Sequence, residues 1–529
     1  MGGQGPGDGI RRWLGLPAAA LVALLWSAAA GPAGTVAAAT RTASAHSVAA
    51  AGTDATTMTG TTMAAPTTPA TPAQVTIHAG QTLASLTGTS VGINNAVWDG
   101  SLLEPDLPGL LRKAGVRVMR YPGGSTSDVY HWQTNTTEPG QSYANPSNTF
   151  DAFMGVVQRA GAQAMITANY GSGTPEEAAA WVRYANVTHH YGVKYWEIGN
   201  EIYGNGTYGA DWEYDLHSQK GPAAYAQNAV QFIDAMKAVD PTIKVGVVLT
   251  APGNWPDGVV RPGDTMDWNH TVLSIAGGSL DFAIVHWYPQ NPGNESDQGL
   301  LAAPSQIEGM VAALRAEIAQ YSGPRAASVQ IMATETNSVS YNPGKQTVGL
   351  VNALFLADNY LSWLEQGVAS VEWWDTHNGI TTGNNDSSSL YGDAAYGDYG
   401  VLANGSCAGS VCEPGAGTPF PPYYGLRLLT RLAAPGSRLV PASADHPLIS
   451  VHAARTPTGE LALLLVNKDP ATAYRVSLSY EGFQPQPGAT VSFYGEGSSS
   501  IREQRENGLA ATREQVLPPY SLTVVVVGP

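Results

Sequence analysis

Eight short apolar runs recur through the middle of the chain: Ser90 to Asn95, Val116 to Gly124, Ala164 to Asn169, Tyr195 to Glu201, Lys244 to Val248, Phe282 to Tyr288, Val329 to Asn337 and Ser370 to Asp375. Bulky apolar residues follow one another without polar alternation, as in strands buried on both faces, and most of the runs end in polar residues. Stretches with apolar residues at helical spacing lie between them, among them 175–184, 223–238, 306–320 and 348–365. Strands alternating with helices predict a parallel sheet, and eight of them predict an α/β fold of the (β/α)8 TIM-barrel type over residues 90–420. From residue 421 a short helix gives way to strands such as Leu461 to Val466 and Ser521 to Val526, which predict an all-β sandwich over 421–529. Gln74 to His78 alternates as a solitary strand, so residues 74–89 are expected to pair with the C-terminal domain and not with the barrel.

The pattern is absent before that strand. Residues 40–73 are mostly Ala, Thr, Met and Pro and lack the apolar bulk to bury a core, so they read as a disordered linker. Arg11-Arg12 precede an apolar run from Trp13 to Ala30 that Pro17 interrupts. This start reads as a cleaved secretory signal peptide over 1–39, and the protein is expected to be secreted. No other apolar run is long enough to span a bilayer, so no stable membrane insertion is expected.

Composition narrows the partners. The net charge is −16 and the pI about 5.0, with no basic run beyond Arg11-Arg12, which excludes a phosphate-backbone partner such as nucleic acid. Only 13% of residues are charged, while Gly, Tyr and Trp are plentiful, a balance suited to a neutral, hydroxyl-rich ligand such as a polysaccharide or oligosaccharide. The two cysteines, Cys407 and Cys412, lie in one polar loop and are expected to form a local disulfide in an oxidising compartment. No His cluster accompanies them, so neither a metal nor a cofactor is expected, and the sequence carries no signal for an oligomeric state.

Chemistry concentrates at the C-terminal ends of barrel strands. The fourth run delivers Asn200 and Glu201, and the seventh delivers Glu335. Two carboxyl groups facing each other are what glycoside hydrolysis requires, one protonated for the leaving oxygen and one ionised to attack the anomeric carbon. Glu201 is the expected catalytic acid and Glu335 its partner. Asn94, Arg120, Asn169, Asn200, His286, Tyr288 and Trp374 end other runs and complete the expected substrate site. Arg120 would hold the nucleophile ionised, Tyr288 would orient it, Asn200 would grip a sugar hydroxyl, and Trp374 would offer an apolar face to the ring.

Three of these stretches, Arg120-Tyr121-Pro122-Gly123-Gly124, Ala168 to Ala178 with Trp181 to Tyr184, and Tyr195 to Gly204, resemble the α-L-arabinofuranosidases of glycoside hydrolase family 51, within the clan of retaining barrel hydrolases. The likeness runs from about Val91 to Trp374 and is densest in its first half. Thr336 follows Glu335 where that family more often has Trp. The resemblance implies Glu201 as acid/base, Glu335 as nucleophile, Asn200 as ligand of the sugar 2-hydroxyl, and a C-terminal sandwich companion. β-Xylosidase, β-glucuronidase and endoglucanase activities of the same clan, and a non-catalytic carbohydrate-binding role, remain the alternatives.

Overall fold

The structure is a computed structural model that describes residues 71–384, 394–506 and 514–529. The expected signal segment 1–39 and the expected linker up to residue 70 lie outside the described residues. All eight apolar runs are strands of one closed parallel barrel: Val91–Asn94, Val118–Tyr121, Gln163–Ala168, Tyr195–Ile198, Lys244–Val248, Phe282–Trp287, Gln330–Thr336 and Ser370–Trp373, each paired with its neighbours in chain order and the last with the first. Helices such as Pro175–Val182, Pro222–Val239, Ile307–Tyr321 and Leu350–Glu365 lie between them. The first of these starts on Pro175, which has no N–H to lose, and Thr174 caps it by accepting from the Glu177 N–H.

The C-terminal region forms two sheets around a second core. One has four strands and the other seven. The lone N-terminal strand is Thr71–His78, three residues longer at its start than the alternation suggested, so residues 71–73 are strand and not linker. Its extra residues continue the same parallel pairing with Tyr474–Glu481, and on its other edge the strand meets Ala442–Ala444 antiparallel. Val75 and Ile77 face the sandwich core with Leu463, Leu465, Val476 and Val525.

The strand Leu461–Asn467 explains how the two parts join. Its sequence is apolar at successive positions, and every residue in it is buried. Leu461, Leu463 and Leu465 enter the sandwich core, while Ala462, Leu464 and Val466 belong to the core that continues into the barrel. The helices Leu350–Glu365 and Pro421–Leu429 pack against each other and against strands of this sheet, which is why the run does not alternate.

A buried ionic cluster crosses the same junction. His452 on the sandwich contacts Asp358 at 2.8 Å and Glu365 at 2.8 Å, both on the barrel helix Leu350–Glu365, and Lys468 reaches Asp358 at 2.6 Å. Burial works against the charge on His452, but the two carboxylates outweigh it and lift the imidazole to about 10. Asp358 is likewise buried, yet Lys468 and His452 hold it well below the usual carboxylate range. Elsewhere Cys407 and Cys412 are bridged, as expected, pinning a two-stranded hairpin. Among the described residues no helix is long and apolar enough to cross a membrane.

Candidate active site

Two local distortions of the barrel aim its carboxyl groups. The fourth strand ends at Ile198, and Gly199 follows with φ +73°. A Cβ there would lie 2.8 Å from Ile202 Cγ1 and 2.9 Å from Tyr170 Cβ, so only glycine permits the tight turn that presents Asn200 and Glu201. In the seventh strand the register slips: Val285 pairs with Ala333 but His286 pairs with Glu335, leaving Thr334 as an additional residue. Such a bulge re-aims the side chain that follows it, here Glu335.

Arg120 is the hub. Its side chain is fully buried and donates Nε to Glu197 Oε2 (2.5 Å), Nη1 to Asn94 Oδ1 (2.9 Å) and Glu335 Oε1 (2.7 Å), and Nη2 to Asn200 Oδ1 (3.0 Å). Burial opposes the guanidinium charge, but Glu197 and Glu335 more than restore it. Tyr288 donates to Glu335 Oε2 at 2.8 Å. Glu335 therefore has a charged donor on one oxygen and a phenol on the other, the arrangement that holds a carboxylate in place. Glu372, deeper in the barrel, is pushed well above its ordinary value by burial and by the Glu197 charge.

Glu201 sits opposite. Its Oε1 lies 3.0 Å from His286 Nδ1, and its Oε2 accepts from Trp212 Nε1 at 3.0 Å. Burial works to raise this carboxyl, but the hydrogen bond and charge of His286, with hydrogen bonds from Tyr203 and Trp212, outweigh it and leave it below its ordinary value. His286 Nε2 is engaged in turn by Thr334 Oγ1 at 3.1 Å. One ligand atom from each of Glu201, His286 and Glu335 falls within 4.8 Å of the others, the one such trio of His, Cys, Asp or Glu among the described residues. Both imidazole nitrogens already have protein partners, and Glu335 has Arg120 and Tyr288, so the donors are taken up by hydrogen bonding and not arranged to hold a metal.

The expected site residues separate into two groups. Arg120, Asn200, Glu201, His286, Tyr288 and Glu335 form one connected network, and Trp374 stands half-buried at its edge. Trp374 lies so close over Gly124 that a Cβ there would approach its Cη2 to 2.8 Å, and Asn337 ties down the Trp374 carbonyl at 2.5 Å. Asn94 and Asn169 make their hydrogen bonds to the protein itself. Asn94 is fully buried and spends its amide donors on the carbonyls of Thr334 and Trp373, with its oxygen on Arg120. Asn169 is occupied by Ser172 and the Tyr130 carbonyl and knits its own loop. Both brace the site from behind.

Sequence reading missed Glu197, Asp128, Trp212 and Glu213. Asp128 accepts the Asn200 N–H at 2.9 Å, and burial lifts it to about 7 against the pull of the N–H groups of Asn200, Tyr170 and Gly171. Glu213 accepts from the Asn200 amide at 2.8 Å and from Ser125 at 2.7 Å. Burial, then the charges of Asp128 and Glu201, push Glu213 well above the usual carboxylate range. Asn200 is thus held from both sides. The one signal for Glu213 and Trp212 was the pair Trp212-Glu213 in an otherwise polar loop; Glu197 sat in plain view inside the fourth run.

The chain thus combines an eight-stranded parallel barrel, with two carboxyl groups meeting at its mouth, and a C-terminal sandwich. No family model matches the chain. It superposes on the family 51 α-L-arabinofuranosidase of Thermotoga petrophila with a TM-score of 0.66 at 19% identity, covering 86% of this chain and 100% of that one. The family 44 xyloglucanase of Paenibacillus polymyxa shares the fold at a TM-score of 0.61 and 12% identity, covering 87% and 100%. In sequence, the chain is 30% identical over 176 residues to a probable α-L-arabinofuranosidase C of Aspergillus clavatus, which is 28% of this chain and 33% of that protein. The match therefore spans about a third of the curated relative's length.

Proposed function

We propose that the protein is a retaining glycoside hydrolase that removes α-L-arabinofuranosyl groups from plant cell-wall polysaccharide or oligosaccharide. The observation that carries this reading is the approach of Glu201 and Glu335 to within 4.8 Å, oxygen to oxygen. Retaining enzymes place their carboxyl groups about 5–5.5 Å apart, whereas inverting ones leave roughly 6.5–9.5 Å for a water. In the first step Glu335, held by Arg120 and oriented by Tyr288, attacks the anomeric carbon. Glu201 gives a proton to the departing glycosidic oxygen, a proton it must first take up, because His286 holds the unliganded carboxyl below its ordinary value. In the second step Glu201 takes a proton from water as that water displaces Glu335 from the glycosyl-enzyme. Asn200, fixed by Arg120, Asp128 and Glu213, supplies an amide to the sugar 2-hydroxyl, and Trp374 bounds the ring.

Arabinofuranose as the sugar is supported by the sequence similarity to arabinofuranosidases. Secretion belongs to the same proposal and is supported by Arg11-Arg12 with its apolar run and by the Cys407–Cys412 bridge. The test is hydrolysis of a panel of aryl glycosides by the wild type, Glu335→Gln and Glu201→Ala. Arabinofuranoside cleavage is expected, abolished in a folded Glu335→Gln. With a poor leaving group Glu201→Ala loses about 10²–10⁴ in rate, and with an activated one far less, since general acid help is then unneeded. Substantial turnover in Glu335→Gln refutes the assignment, and cleavage of a different glycoside replaces the sugar.

A further inference from the structure

The seven-stranded sheet of the sandwich ends on the strand Arg502–Glu506, which pairs through one edge with Ala489–Gly495 and has no other partner strand among the described residues. Arg502, Glu503, Gln504 and Arg505 are exposed, and Glu506 is half-buried. A strand edge of this kind presents N–H and C=O groups to any strand that approaches, and charged side chains are the ordinary defence against one. Here the order of the charges leaves that defence with a single gap.

Laid antiparallel on a copy of itself about a two-fold axis through Gln504, the strand sets Arg502 opposite Glu506 and Glu503 opposite Arg505, each pair occurring twice. Side chains alternate between faces, so the Arg502–Glu506 pairs lie on one face of the joined sheet and the Glu503–Arg505 pairs on the other. Directly opposed charges of opposite sign stabilise a sheet, and like charges destabilise it. A slip of one residue opposes Arg502 to Arg505 or Glu503 to Glu506, a slip of two opposes Glu503 or Arg505 to itself, and parallel pairing in register matches every charge with its like. Contacts within the chain hold the same side chains in place: Arg431 Nη2 donates to Glu503 Oε2 at 2.8 Å, Gln504 Nε2 donates to Glu506 Oε1 at 2.7 Å, and Arg502 lies 6.0 Å from the centre of the Phe493 ring.

We propose that this edge is an interface for a second copy of the chain, in which two Arg502–Glu506 strands pair antiparallel about Gln504 and join two seven-stranded sheets into one. The contact is isologous, each copy presenting the same strand, and it closes on itself as a dimer. One short edge is small beside a standard interface, so the dimer is weak and concentration-dependent, and its exposed ion pairs make it sensitive to salt. The inference is independent of the chemistry at the barrel mouth. The run carries no such meaning in the sequence, because only the fold makes it an edge.

The test uses the full chain, in which Cys407 and Cys412 are already bridged. Gln504→Cys sets a thiol on the proposed axis, where directly opposite Cα atoms lie about 4.5–5.5 Å apart, within disulfide reach. Under mild oxidation it is expected to give a covalent dimer, whereas Arg502→Cys, about 14 Å from its own copy across the axis, is expected to give about tenfold less. Sedimentation equilibrium at about 0.15 M salt is expected to show wild-type self-association that weakens about tenfold in Arg502→Glu and in Glu506→Arg, each of which opposes like charges. Association is expected to return in the double variant Arg502→Glu/Glu506→Arg, which restores the opposition with the signs exchanged. Circular dichroism checks that each variant is folded. A wild type that stays monomeric at about 1 mM, a dimer unweakened in both single variants, a double variant no better than either single one, or cross-linking of Arg502→Cys as efficient as that of Gln504→Cys overturns the interface.

Discussion

Replacing Arg120 by Met is the most searching perturbation of the barrel interior. The substitution keeps much of the side-chain volume and removes a charge that serves Glu197 and Glu335 at 2.5 and 2.7 Å. Glu197 is fully buried and Glu335 nearly so, and breaking one partner out of a buried pair costs about 3–5 kcal/mol. The same change leaves Glu335 with only Tyr288 as donor. A carboxylate that loses its charged donor is positioned less firmly, so kcat/KM on an aryl arabinofuranoside is expected to fall by about tenfold or more. Urea denaturation reads the first effect and kcat/KM the second. Adding Glu197→Gln to Arg120→Met removes one of the stranded charges and should return part of the stability without returning activity, because Glu335 still lacks its cation. A single variant destabilised by less than about 1 kcal/mol, or a double variant that recovers both stability and turnover, would refute the view that Arg120 links barrel stability to the nucleophile.

Three further outcomes are expected. His286→Gln removes what holds Glu201 below its ordinary value while burial continues to push upward, so the basic limb of kcat/KM should move up; a stationary limb refutes the pairing. His452 has a folded-state value raised to about 10, so the stability it contributes is complete below about pH 6.5 and is lost as pH rises through about 10. The gap in unfolding free energy between wild type and His452→Gln should accordingly be about 2–4 kcal/mol at pH 6 and close by pH 10, and a gap independent of pH contradicts the assignment. Reduction of Cys407–Cys412 should cost about 2 kcal/mol, given the short loop it closes, and leave aryl-glycoside kcat/KM unchanged; inactivation on reduction would place that hairpin in the site.

The barrel was legible because its strands are buried on both faces, which strips them of polar alternation and leaves runs that end where the chemistry begins. Arg120, Glu201, Tyr288, His286 and Glu335 were legible for the same reason. Asn94 and Asn169 occupy equivalent strand ends, but their amides are consumed by the Thr334, Trp373 and Tyr130 carbonyls and by Ser172, and that depends on register and loop path. Glu213 and Trp212 come from a loop whose return toward Asn200 has no periodic signature. Leu461–Asn467 read simply as a sandwich strand, and its second buried face depends on the packing of helices far away in sequence.

The strand Thr71–His78 enters the sandwich beside Tyr474–Glu481, and His78 meets Glu481 across 403 positions of chain. During synthesis this strand emerges before the barrel, yet its partner is made only after the whole barrel. It must wait as an unpaired edge, the most aggregation-prone form a strand can take, until nearly the last residues are available. Polar and proline residues at its start, Thr71, Pro72 and Gln74, suit a segment that has to remain unattached for that long. Truncation at the C-terminus would therefore be felt first at the N-terminus, as a strand left with no sheet to join.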